Sequence, residues 1–244
     1  MLEGGHGPGL PSEMVINRDF RGRITGLAYF GMQLVLAVDD ESALDAFAVE
    51  TRKHRALRSF VGTAEGVAGL WSRVRDWHPQ PSITRESQPL YLLPPPALRE
   101  PGADVEVRRA READAELVGE HSAQMILGEL GYDPRAGRAP YGASIRHAIA
   151  QGSWWLWIVD GRLRFQCNVG PRSTATAQLQ GVWTPPEQRG NGYAALALSA
   201  IARRLFATET TLSLYVNDFN APAIALYERL GFARVGTFAT YLFP

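Results

Sequence analysis

The chain has 244 residues, 45% hydrophobic and 20% charged, and its 25 Lys and Arg balance 25 Asp and Glu to a formal net charge of zero. This describes one large or two small globular domains and excludes several classes: there is no basic surplus for nucleic acid, no apolar run of about 18 residues for a membrane-spanning helix, and, with Cys167 alone, neither an intrachain disulfide nor a cysteine metal cluster. The five histidines show no metal-ligand spacing, so no metal is expected.

In chain order, Met1 to Ser12 is rich in Gly and Pro and lacks the basic stretch and apolar core of a signal peptide. Residues 1–19 are read as a flexible tail and the protein as cytoplasmic. Leu34 to Val38 reads as a strand, Glu41 to Glu50 as a helix after the cap candidate Asp40, and Leu57 to Val61 as a second strand. Val67, Leu70, Trp71, Val74 and Trp77 recur at helical spacing, and Leu90 to Leu93 reads as a third strand. Residues 20–93 thus form a small α/β domain of unknown role. The Pro94-Pro95-Pro96 run and Pro101-Gly102 mark a linker at 94–103, and residues 104–244 form the second domain.

In that second domain Val105 and Val107 suggest a strand. Helices are expected over Glu112 to Leu130, stopped by Gly131, and over Ser144 to Gln151. Trp154 to Val159 and the alternating run from Arg162 to Val169 flank Asp160-Gly161, a strong hairpin signal. A strand over Thr176 to Thr184 follows. Next come a helix over Gly192–Ala207, a strand over Thr211–Val216, a helix over Ala221–Leu230 and a bent or split strand over Ala233–Phe243. The order β-α-α-β-β-β-α-β-α-β predicts an α/β fold, a mixed sheet with helices on its faces.

The chemistry sits in the stretch from Gly181 to Ala194. It leaves a strand, crosses a loop with Arg189, Gly190, Asn191 and Gly192, and enters an apolar helix at Tyr193. The first turn of a helix has unpaired N–H groups and a partial positive charge, and glycines let a phosphate approach the backbone. On its own, a Gly-x-Gly turn before a helix is more often structural than ligand-binding. The loop is neither a P-loop, since no Gly-Lys-Ser/Thr follows, nor a dinucleotide fingerprint, since the third glycine is missing.

Arg189 to Ala194 fits the Arg/Gln-x-x-Gly-x-Gly/Ala signature of the GCN5-related N-acetyltransferases (GNAT), and the segment from Tyr215 to Phe232 resembles that family's strand, Asn-containing loop, helix and Tyr-x-x-x-Gly-Phe ending. The resemblance covers about residues 103–244. The layout also resembles two-domain actinobacterial GNAT proteins, and the first domain is read as a possible degenerate GNAT-like half without a pyrophosphate loop. The resemblance implies acetyl-CoA as cosubstrate. The strand carrying Val182, Trp183 and Thr184 would pair with the pantetheine arm, beside a splayed partner strand ending near Val216, with a bulge at Gly181. Amides from Gln188, Arg189, Gly190, Asn191, Gly192, Tyr193 and Ala194 would hold the pyrophosphate. Asn217, Asn220 and Ala223 would contact or pack near the cofactor. Tyr227 would protonate the leaving thiolate as general acid.

The strand glutamate that many family members use as base is missing, because Gln178-Leu179-Gln180 stands there. Yet a lysine-like amine costs about 4–5 kcal/mol to deprotonate at pH 7. Tyr132, Tyr141 and Arg146 fall where the family shapes its acceptor site. Cys167, alternating with apolar neighbours, is read as a core thiol. The expectation is direct N-acetyl transfer to an unidentified amine, by a monomer or homodimer with no nucleic-acid or membrane partner. The alternative is a non-catalytic acetyl-CoA or CoA sensor.

Overall fold

A computed structural model describes residues 12–102, 104–137, 140–208 and 211–244. The elements run β1 (Glu13–Arg18), β2 (Ile24–Phe30), β3 (Gln33–Val38), α1 (Ser42–Thr51), β4 (Ser59–Thr63), α2 (Ala64–Val74), β5 (Ile83–Leu93), β6 (Arg108–Arg109), α3 (Ala115–Leu130), α4 (Tyr141–Ala150), β7 (Trp154–Val159), β8 (Arg162–Arg172), β9 (Thr176–Trp183), α5 (Tyr193–Leu205), β10 (Thr211–Tyr215), α6 (Ala221–Arg229) and β11 (Ala233–Leu242). This is the expected α/β class, and from β6 onward the expected order. The last strand is single rather than split. Among the described residues, no helix is long and apolar enough to cross a membrane.

The chain packs as two compact units. The first comprises residues 1–90, 215–221 and 234–244, and the second residues 91–214 and 222–233. The final strand therefore falls in the same unit as the N-terminal strands, whereas a division at 94–103 assigns it to the other half.

In the first unit the strand order is β1-β2-β3-β4-β11-β5. The expected tail ends earlier than residue 19, because Glu13 to Arg18 pairs antiparallel with β2, from Glu13↔Phe30 to Arg18↔Ile24. Asp19 closes that hairpin by accepting from the N–H groups of Arg21 (2.8 Å) and Arg23 (2.9 Å). The expected tail extends back over residues 1–11, which lie outside the described residues. Phe30, Phe47 and Phe60 are fully buried with Leu34 and Leu70, each such side chain contributing about 1.5–3 kcal/mol. β11 runs antiparallel to β4, Tyr241 opposite Phe60.

In the second unit the order is β10-β9-β8-β7-β6. The β7–β8 hairpin turns at Asp160 (φ 51) and Gly161 (φ 70), both left-handed as a two-residue turn demands. α3 stops at Gly131, also left-handed (φ 76). Val118, Ile145, Ile149, Trp154, Leu156 and Leu163 form a core between α3, α4 and the sheet. The proline-rich stretch is docked here rather than acting as a spacer. Pro95–Ala97 makes a short 3₁₀ turn, and the Arg99 N–H donates to the Leu230 carbonyl (2.9 Å).

Candidate functional site

β9 has two different edges. Toward β8 it is paired antiparallel, with Val169↔Leu179, Asn168↔Gln180 and Gln166↔Trp183. From Asn168 to Gln166 the partner advances two residues while β9 advances three. The extra residue is a bulge at Gly181–Val182, with Gly181 left-handed (φ 55) as expected. A Cβ on Gly181 would meet the Trp154 ring at 3.3 Å. Toward β10 the parallel pairing has three rungs, Thr211↔Thr176, Leu212↔Ala177 and Ser213↔Gln178, and stops there. β9 continues through Val182 to Trp183, so its backbone N–H and C=O groups beyond Gln178 face a parted edge, the type of edge to which an extended, amide-bearing chain adds.

At the end of that edge, Pro186–Gln188 form a 3₁₀ turn and Arg189 is extended. Gly190 (φ 80) and Gly192 (φ 74) are left-handed, and a Cβ on either would project into open space. Gly192 is the N-cap of α5 and, having no side chain, offers no capping hydrogen bond. The first amides bonded inward are Ala195 and Leu196, both to the Gly192 carbonyl (3.1 and 3.2 Å). No described residue accepts from the N–H groups of Gly190, Asn191, Gly192, Tyr193 or Ala194. Five unpaired donors at a helix N-terminus form an anion cradle.

Side chains stiffen the cradle without filling it. Asn191 Nδ2 donates to the carbonyls of Gln188 (3.1 Å) and Arg189 (3.2 Å). Arg189 Nε donates to the Thr184 carbonyl (3.1 Å) and its guanidinium lies over the Trp183 ring (4.7 Å). Arg164 donates to the Gln188 side-chain oxygen and stacks on the Tyr193 ring.

Tyr227 is buried, with its ring 6.4 Å from Tyr91 and 5.8 Å from Phe232. Burial pushes its phenol well above the ordinary value. The phenol is thus held protonated at neutral pH, as a proton donor must be. Cys167 is fully buried and donates toward the Gln180 carbonyl (3.6 Å). Burial drives its thiol up to about 12, which leaves no thiolate to act as nucleophile.

On the opposite sheet face, α3 and α4 bring Tyr141 and Arg146 together with Glu116, Gly119, Glu120 and Arg135 around a cleft of about 520 Å³. Tyr132 is exposed and lies outside that lining. Beneath the cleft the Tyr141 hydroxyl donates to the Gly119 carbonyl (3.3 Å), and buried Ser122 accepts from Gln166 Nε2 (3.0 Å). Sequence reading missed Gln166. Alternation in its strand placed it on a polar face, but α3 covers that face and leaves Gln166 fully buried.

Asn217 and Asn220 lie in segment 215–221 of the first unit, whereas Ala223 and Tyr227 lie in the second. Asn217 is buried, and its Oδ1 accepts from Gln88 Nε2 (3.0 Å), whose Oε1 accepts in turn from Thr240. Its side-chain oxygen is therefore committed to the protein.

Two family models match the chain. One, a domain of unknown function (DUF4081), covers residues 14–118, and the other, FR47-like protein, covers residues 172–241, which hold the parted strand, the cradle and Tyr227. No curated protein matches the sequence. Among solved structures, the fold is similar to a GCN5-related N-acetyltransferase from Kribbella flavida, with TM-score 0.61 and 18% identity over 95% of this chain and 89% of that one. It is also similar to a GNAT-family acetyltransferase from Colwellia psychrerythraea (0.59, 11%, 93% and 84%). A third likeness is to a tandem GNAT protein from the clavulanic acid biosynthesis pathway (0.55, 15%, 96% and 84%). At these identities the likeness is one of fold. The FR47-like match contains the segments Arg189 to Ala194 and Tyr215 to Phe232, and the fold is similar to that of GCN5-related N-acetyltransferases.

Proposed function

We propose that the chain transfers an acetyl group from acetyl-CoA directly to an amine in a ternary complex. The observation that carries this reading is the parting of β9 from β10 after Gln178↔Ser213, which leaves the backbone edge of Val182 and Trp183 open beside the cradle, the Thr184 carbonyl being taken by Arg189. A pantetheine arm carries amides along an extended chain and matches such an edge. Its pyrophosphate then meets the amides from Gly190 to Ala194; those of Gln188 and Arg189, expected to join them, are taken by the carbonyls of Pro185 (2.8 Å) and Pro186 (3.2 Å). Ala223, in the same unit as the cradle, is assigned to the cofactor by family resemblance.

In the reaction, a neutral amine attacks the thioester carbonyl carbon. The C–S bond breaks, and the sulfur takes the proton of Tyr227. The buried, protonated state of Cys167 opposes a covalent acetyl-cysteine route. The test is thiol release from acetyl-CoA by the full chain over a panel of primary alkylamines, amino acids, aminoglycosides and peptides, alongside calorimetry of acetyl-CoA binding. Acetyl-CoA-dependent release with at least one amine is expected. Tight binding with no transfer to any of them would replace this reading with that of a cofactor sensor.

A further inference from the structure

In the first unit, side chains from β1 and from the end of α1 converge. Glu13 opens β1 opposite Phe30 of β2. The Phe30 ring, fully buried, stacks on the His54 imidazole, with centroids 4.6 Å apart and planes inclined by 24°. Glu50 lies in the last turn of α1. Beyond it the N–H groups of Lys53 and His54 donate to the carbonyls of Glu50 (2.9 Å) and Thr51 (3.1 Å), a tight turn that keeps His54 close to Glu50. His54 Nε2 lies 3.6 Å from Glu13 Oε2 and 3.6 Å from Glu50 Oε1. One ligand atom from each of the three residues falls within 4.8 Å of the others.

These separations are too long for hydrogen bonds, and His54 Nε2 is buried with no hydrogen-bond partner. A buried polar atom left in that state costs stability. The separations do suit ligands around one ion. At metal–ligand bonds of about 2.0–2.2 Å, two ligand atoms at a tetrahedral angle stand about 3.4 Å apart. The Glu13 side chain is 58% exposed and is free to swing the remaining distance. Glu50 is already oriented: Lys53 Nζ holds its Oε2 (2.6 Å), which leaves Oε1 turned to the imidazole, the arrangement of a ligand fixed by an outer partner. Helix stability does not account for Glu50, because a carboxylate in the last turn is opposed by the helix dipole, whereas a cation there is favoured.

We propose that Glu13, Glu50 and His54 bind a divalent transition-metal ion of the Zn²⁺ class, through two carboxylate oxygens and one imidazole nitrogen, with water completing the coordination. The imidazole selects for this class, because Mg²⁺ and Ca²⁺ take oxygen ligands. The role is structural. β1 ends the strand order and is paired only with β2, and most of its residues are exposed. The ion adds a second tie, from the start of β1 to the end of α1. Spacing among the histidines does not reveal such a site, because two of its ligands are carboxylates and one comes from a separate strand.

The experiment titrates the full chain, untagged and stripped with a chelator, with ZnCl₂ by calorimetry, and follows melting and the hydrogen exchange of the β1 amides. The wild type should bind Zn²⁺ through this site. At a hundredfold excess over Kd its melting temperature should rise by about 5–10 °C, and exchange from Met14 to Arg18 should slow. MgCl₂ at the same concentration should do neither. Glu13→Gln and His54→Gln should each weaken Zn²⁺ binding by at least about tenfold, a loss that even outer partners of a metal produce. His54→Gln also removes the stacking on Phe30, so if it fails to fold, the exposed Glu13→Gln decides alone. Zn²⁺ affinity in Glu13→Gln equal to that of the wild type would overturn the site. So would a wild type whose melting and β1 exchange ignore Zn²⁺, which would leave the three residues as an ion-paired cluster.

Discussion

The two units each contain a parallel strand pair followed by a strand-to-helix passage, and they treat it in opposite ways. In the first, β3 and β4 stay paired over four rungs, from Gln33↔Ser59 to Leu36↔Gly62, almost to the end of β4. The chain then enters α2 at once, with the Thr63 hydroxyl accepting from the Gly66 N–H (3.2 Å). In the second, β9 and β10 part after three rungs, a nine-residue loop follows, 184–192, and α5 starts at an uncapped Gly192. The same local architecture consumes its polar groups internally in one case and presents them outward in the other. Only the second is built to receive an anion and an extended chain, which is why one parallel pair is scaffold and the other the proposed site.

The strongest way to break this comparison is chemical. If the open unit is a reaction centre, Tyr227→Phe keeps the buried ring and removes the proton donor. The rate of transfer should fall by about 10²–10⁴-fold, while calorimetry shows little change in acetyl-CoA affinity, because the phenol lies apart from the cradle. Undiminished transfer would leave the acetyl-transfer reading intact and strike Tyr227 from the mechanism.

A second test addresses the cradle. Gly192→Val forces a β-branched residue into a left-handed conformation, which costs on the order of 1–2 kcal/mol, and projects its side chain into the open space above the amides. Acetyl-CoA affinity should drop by about tenfold or more, with the protein still folded. Because the position is exposed and no atom lies within 4 Å of the added Cβ, global unfolding is not the expected cause. A variant whose melting temperature still rises on adding acetyl-CoA as in the wild type would show that the pyrophosphate binds elsewhere.

What could be read from the residues follows the same division. The strand expected at Val105 and Val107 forms at Arg108–Arg109 instead; after it the elements were legible because their signals are local: Asp160-Gly161 for the hairpin, Gly131 for the end of α3, and two glycines before an apolar helix for the cradle. β1 and β2 were not, because Glu13 to Arg18 is mostly exposed, Met14 and Ile16 included, and only pairing with β2 orders it. The position of β11 was not legible either. Its partner β4 lies about 180 residues earlier, and no local pattern specifies so remote a pairing. The parting of β9 and β10 was inferred from resemblance rather than from composition.

The smallest expected effect belongs to the closed junction, and its smallness is the point. Thr63 caps α2 with its own hydroxyl, so Thr63→Ala leaves the Gly66 N–H without that acceptor. Loss of an N-cap of this kind costs about 1 kcal/mol of stability, a few tenths for Gly in the same place. Denaturant unfolding should report that difference between Thr63→Ala and Thr63→Gly. Acetyl-CoA affinity should be the same in both variants as in the wild type, because freeing one amide in the first unit does not recreate five unpaired donors beside a parted strand. If instead either substitution weakened acetyl-CoA binding, the β4–α2 junction would be part of a cofactor site, and the contrast between a closed and an open unit would fail at its simplest point.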